Sequence, residues 1–137
     1  MNDDIETLFP TPSVESVPYW EGLLEKKLLL QECSDCQKLR HYPRPLCDQC
    51  YSSNYRWHES KGAGVIHSWV TSHHPFHPAF AKEVPYVTVT VTLLEGVRMQ
   101  APLEELKPTK VLKLGLRVEL RFNKVNDWLC VPYFQLG

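Results

Sequence analysis

Two cysteine pairs constrain this chain more than any other feature: Cys33-Ser34-Asp35-Cys36 and Cys47-Asp48-Gln49-Cys50, separated by ten residues. A C-x-x-C turn sets two thiolates on one side of a tight knuckle. Two such knuckles can surround one ion tetrahedrally, the geometry that structural Zn²⁺ prefers. Four protein ligands leave no open coordination position, so a metal held here would staple the fold rather than catalyse. The competing readings are two disulfides, or four reduced cysteines in a core. Disulfides need an oxidising compartment. The N-terminus, Met1-Asn2-Asp3-Asp4-Ile5-Glu6, is acidic and lacks the basic and apolar regions of a secretory signal. The expectation is therefore a reducing, cytoplasmic setting with zinc in the site. Iron on four thiolates remains a competitor, because the motif does not separate the two metals.

At 137 residues the chain makes one ordinary domain or two small modules sharing a core. A 43% hydrophobic and 23% charged composition is that of a globular protein, and no apolar run reaches the roughly 20 residues of a membrane span. The net charge is −1, but it is unevenly spread. Residues 1–25 hold six acids and no lysine or arginine, whereas residues 26–61 hold Lys26, Lys27, Lys38, Arg40, Arg44, Arg56 and Lys61 against four acids. Four thiolates on a dication would add a charge of about −2 and cancel most of that excess. The chain is thus not a strongly basic nucleic-acid binder. A local patch beside the knuckles could still hold one phosphorylated ligand. The fifth cysteine, Cys130, lies in Trp128-Leu129-Cys130-Val131 and reads as a buried small hydrophobe.

After an extended, proline-marked start, Ser13 to Lys27 reads as a short helix, with Ser16 and Pro18 at its beginning. Leu28 to Glu32 then leads as a strand into the first knuckle, Arg40 to Pro43 leads away from it, and Asn54 to Glu59 returns from the second. This is a zinc ribbon, small enough to depend on its metal for folding. Beyond Lys61-Gly62-Ala63-Gly64 the pattern becomes two-periodic. Val87-Thr88-Val89-Thr90-Val91-Thr92-Leu93 alternates without a fault, as a half-buried antiparallel strand does. With Val65–Thr71, Val97–Gln100, Leu116–Phe122 and Trp128–Phe134 it makes five strands, with a longer link from Ala101 to Gly115. That set suits a small Greek-key barrel of the OB type, with an open sandwich as the runner-up. The expected fold is mainly β: an acidic tail and short helix over 1–27, a rubredoxin-like zinc ribbon over 28–61, and a five-stranded OB-fold barrel over 62–137.

The order of motifs carries a resemblance. Tyr19-Trp20-Glu21-Gly22-Leu23 and Leu28-Leu29-Leu30-Gln31 precede the first knuckle, and Tyr42-Pro43-Arg44-Pro45 lies between the two. Gly62-x-Gly64-Val65, His77-Pro78-Ala79-Phe80 and Val84-Pro85-Tyr86-Val87 follow. From about Tyr19 to the end, the set resembles the zinc-ribbon plus OB-fold, acyl-CoA-associated family long catalogued as a domain of unknown function. The resemblance implies an accessory subunit, not expected to be an enzyme by itself. Such a subunit binds a thiolase-fold partner (a thiolase, an acyltransferase or a steroid side-chain aldolase) in a heterotetramer or larger assembly. It helps form the acyl-CoA channel there, with the CoA thioester as ligand of the complex. The chain departs from the family pattern after the first knuckle, where Gln37-Lys38 replaces a frequent glycine, and at Pro102, where many members are polar.

Other residues divide between a functional and an ordinary reading. In the loop His73-His74-Pro75-Phe76-His77-Pro78-Ala79-Phe80, three histidines could bind a second metal or act as acid and base. Prolines and phenylalanines better suit a docking or ligand-gating loop, with plain barrel packing as the ordinary reading. The resemblance to the family motif ranks His77 above His73 and His74, and Pro78, Phe80 and Tyr86 belong to the same family-like stretches. Arg40, Arg44, Lys38 and Lys61 surround the ribbon, either as a solvated face or as a seat for CoA phosphates or a partner's acidic rim. Arg98 sits in a barrel strand after the Gly96 turn and could also point into a groove. Trp20, Trp57, Trp69 and Trp128 read as core or seam rather than as a base-stacking platform. No nucleophile elbow, phosphate loop or open zinc site appears. Two alternatives to the accessory subunit stay open: a single-stranded nucleic-acid-binding ribbon/OB protein, and a small acyl-CoA-binding enzyme using His77.

Overall fold

A computed structural model describes residues 12–73, 85–104 and 111–137. A 3₁₀ turn, Val14–Ser16, feeds helix α1, Val17–Leu24. The helix is shorter than the Ser13–Lys27 pattern suggests. Lys26 turns left-handed at φ +61°, and the Lys26 and Lys27 amides donate back to the Leu23 and Gly22 carbonyls. This closes the helix with the bond pattern of a Schellman cap, using lysine where glycine is usual.

Strands β1 (Leu29–Cys33), β2 (Leu39–Arg40) and β3 (Tyr55–Glu59) form the antiparallel ribbon sheet in the order β2-β1-β3. Strands β4 (Ala63–Ser72), β5 (Tyr86–Leu93), β6 (Arg98–Pro102), β7 (Arg117–Lys124) and β8 (Cys130–Leu136) form the second sheet in the order β6-β5-β4-β7-β8. A parallel bridge between Leu103 and Phe134, with the Glu104 amide 2.8 Å from the Phe134 carbonyl, brings the outer strands together. The barrel is therefore nearly closed, as an OB fold requires.

Alternation decides which face goes inward. Val89, Val91 and Leu93 of β5 are buried while the threonines between them are half-buried, and Met99, Ala101, Val118, Leu120, Cys130 and Phe134 complete the interior. Gly64 is the tight point. A Cβ there would lie 2.9 Å from Leu93 Cα and closer still to the Thr92 carbonyl, so β4 and β5 can approach only around glycine. Tyr19 and Leu23 of the helix and Leu28 and Leu30 of the ribbon join the same cluster as the barrel residues. Ribbon and barrel thus share one core. Trp20, Trp57 and Trp69 pack against it as the seam reading expects, whereas Trp128 is 56% exposed at the turn before β8.

Candidate metal centre and the ribbon–barrel groove

The two knuckles are built alike. In the first, the Gln37 amide donates to the Cys33 carbonyl at 2.9 Å, and the Cys33 amide to the Lys38 carbonyl at 2.9 Å. In the second, Tyr51 and Cys47 donate to Cys47 and Ser52 at the same 2.9 Å. Lys38 Nζ reaches both Asp48 oxygens at 2.8 Å and ties one knuckle to the other.

This brings all four sulfurs within 4.8 Å of one another, with Cys33–Cys50 at 3.5 Å and Cys36–Cys47 at 3.6 Å. A tetrahedral zinc with Zn–S near 2.3 Å has sulfur edges of about 3.8 Å, so the donor set and spacing fit that ion. The electrostatics agree. The Cys36 backbone amide, with other donors, holds the Cys33 thiol down at about 6. The Ser52 amide acts likewise on Cys50, but the neighbouring sulfurs and burial outweigh it and push that thiol up to about 12. Four thiolates side by side repel, and a dication removes the conflict. A bound zinc would supply structure only, since Cys33, Cys36, Cys47 and Cys50 fill its coordination sphere. Cys130 is 3% exposed, and burial raises its thiol pKa.

The expected basic surround of the ribbon separates into two places. Arg40 and Arg44 line a groove of ≈ 290 Å³ between ribbon and barrel together with Arg98, as well as Lys38, His41 and Val97. Lys61 lies elsewhere, in a cavity of ≈ 490 Å³ with Lys26 and Lys27. Arg40 is not a solvated surface charge, being 6% exposed. Its Nε donates to Gln31 Oε1, and its Nη2 to the Arg44 carbonyl at 3.3 Å. Gln31 Oε1 also accepts the Arg44 amide at 2.8 Å. Two buried donors of this network, Arg40 Nη1 and Gln31 Nε2, have no acceptor. Each such orphan costs about 1–3 kcal/mol.

Sequence reasoning missed Gln31. Its signal was a polar residue closing the apolar run Leu28-Leu29-Leu30, where strand β1 is covered on both faces. It also missed Tyr19 and His41, which meet at 3.2 Å between Tyr19 Oη and His41 Nε2. Burial raises the Tyr19 pKa and lowers that of His41 to about 4. Tyr86 opens β5 opposite Ser72, half-buried and apart from the groove lining. His77, Pro78 and Phe80 lie outside the described residues, and His73 is exposed.

A closed four-cysteine ribbon packed on an OB barrel defines a class of ribbon/OB proteins. The chain belongs to the ChsH2 family within that class. Residues 20–56 match the family model "ChsH2, rubredoxin-like zinc ribbon domain", and residues 57–123 match "ChsH2, C-terminal OB-fold domain". The structure superposes on that of the Ltp2-ChsH2(DUF35) aldolase with a TM-score of 0.81 at 34% identity, covering 93% of this chain and 98% of that one. A DUF35 protein of unknown function from Sulfolobus solfataricus shares the fold at 13% identity, with a TM-score of 0.64. The chain is 34% identical over 132 residues to a probable enoyl-CoA hydratase alpha subunit of Thermomonospora curvata. It is 33% identical over 119 residues to the 3-oxo-4,17-pregnadiene-20-carboxyl-CoA hydratase alpha subunit of Mycobacterium tuberculosis. It spans 40% and 37% of those two relatives' lengths. Among the described residues, no helix is long and apolar enough to cross a membrane.

Proposed function

We propose that this chain is an accessory subunit that binds a thiolase-fold partner in a heterotetramer or larger assembly and completes the partner's acyl-CoA channel. The observation that carries the reading is the match to the Ltp2-ChsH2(DUF35) aldolase. It runs through helix, ribbon and barrel alike rather than through one common module. Two relatives named as alpha subunits of CoA-thioester hydratases support a place in a multi-subunit acyl-CoA enzyme. In this reading residues 28–61 are the ribbon, stapled by zinc, and residues 62–137 are the barrel. The 1–27 segment begins as an acidic tail. The loop with His77, Pro78 and Phe80, followed by Tyr86, meets partner or ligand. The bond-making groups belong to the partner, and the complex works in the cytoplasm.

The test is co-expression with a thiolase-fold protein from the same organism. Co-purification in near-equal amounts, with CoA-thioester cleavage or condensation that needs both chains, is the expected result. A partner that is equally soluble and active alone would overturn the reading. Turnover by this chain alone, lost in His77→Ala, would replace it with the small-enzyme alternative.

A further inference from the structure

We propose that the groove between ribbon and barrel is an anion site seating a phosphate group of a bound ligand, with Arg40 as its buried floor and Arg44 and Arg98 as its exposed rim. This deepens the accessory-subunit reading by naming the part of the CoA ligand that this chain would hold. It rests on that reading for the ligand's identity alone.

Three arginines line one groove. Arg44 and Arg98 form no ion pair among the described residues, and Asp48, the carboxylate of the lining, is spent on Lys38. Against the charge of about −2 that a zinc-loaded centre would add nearby, the three arginines still leave the groove net positive. It suits a phosphate, which planar arginine forks bind bidentately. Beneath them Arg40 Nη1 is buried and lacks an acceptor. The amide of Gln31 cannot be turned to provide one. Its oxygen already takes Arg40 Nε and the Arg44 amide, so the nitrogen faces away and is itself without an acceptor.

The choice of residue at 31 matters here. A glutamate would accept the same two hydrogen bonds and neutralise Arg40. Glutamine fixes the guanidinium in place and leaves its charge for a ligand. The larger cavity by Lys26, Lys27 and Lys61 has cations too, but no buried donor without an acceptor lines it.

The experiment uses the full zinc-loaded chain and inorganic pyrophosphate as the probe, titrated at constant ionic strength with the arginine Nε–H resonances observed by NMR. Saturable binding that shifts the Arg40 resonance is expected. Arg44→Gln and Arg98→Gln should each weaken it about tenfold, the loss of one charge-assisted contact. Lys61→Gln should leave it unchanged. Gln31→Glu should stay folded yet lose most of the affinity. Absence of saturation, or equal losses in Arg44→Gln, Arg98→Gln and Lys61→Gln, would overturn the site. Partner co-purification is scored separately, so loss of pyrophosphate binding with the partner still bound refutes the anion site and leaves the accessory role standing.

Discussion

Gln37 and Tyr51 occupy the same position in the two knuckles, one residue past Cys36 and Cys50, and both are left-handed, with φ of +62° and +61°. The backbone must reverse there so that each amide can return to the carbonyl of the knuckle's first cysteine. An L side chain in that conformation costs about 1–2 kcal/mol, and glycine recovers part of this after its own entropy loss. Gln37→Gly should therefore stabilise the zinc-loaded protein by roughly 0.5–1 kcal/mol, read as a higher urea midpoint at unchanged slope. Gln37→Val should lower it. The opposite order would show that the Gln37 side chain makes a contact that outweighs its backbone strain.

Metal removal should destabilise more than the ribbon. Leu28 and Leu30 of the ribbon belong to the same buried cluster as Val89, Val118 and Phe134 of the barrel, so the two sheets lose packing together. About one zinc per chain is expected by elemental analysis. Chelation or Cys33→Ser should then shift a single unfolding transition downward for both ribbon and barrel signals. Cys130→Ser, outside the metal centre, should keep its zinc. A barrel that melts at an unchanged temperature after chelation would show that the shared core is dispensable.

The parts of this architecture that were legible in the sequence are those set by short-range rules. Two C-x-x-C turns specify their own geometry, and Val87 to Leu93 announces its inward face by alternation alone. The groove was only half legible. Arg40, Arg44 and Arg98 could be named as cations, but not sorted into floor and rim, because burial of Arg40 depends on pairing Gln31 with Arg40 across β1 and β2. Such a partnership is set by register rather than by composition. Helix α1 stops early for a related reason: the left-handed Lys26 cap carries no glycine to signal it.

Gln31 should prove the most sensitive polar residue of the ribbon. Gln31→Leu keeps the volume and removes the orphaned Nε2, but it strands the buried Arg40 Nε and the part-buried Arg44 amide at about 1–3 kcal/mol for a buried donor, so a net loss of roughly 1–3 kcal/mol is expected in equilibrium unfolding. Gln31→Glu should match or exceed the native stability, since a carboxylate accepts both bonds and pairs with the buried guanidinium. If Gln31→Leu proved neutral, the network would contribute nothing to the fold.

The Tyr19–His41 contact gives the protein an acid sensitivity of definite sign. Burial lowers the His41 pKa to about 4, and the neutral ring lies 3.2 Å from a Tyr19 hydroxyl that burial keeps protonated. The unfolded histidine titrates near 6.5, so between about pH 6.5 and pH 4 the unfolded chain binds more protons than the folded one. Stability from the neutral ring is complete above this window and falls as the pH drops through it, by up to roughly 3 kcal/mol. The thiolates of the metal centre also take up protons as the pH falls, so the informative quantity is a difference between proteins. Unfolding free energies of the native chain and His41→Asn, measured at several pH values with the zinc content checked at each, should converge as the pH falls from 6.5 to 4. Parallel curves would mean that His41 titrates alike in the folded and unfolded states and that its burial has no energetic consequence.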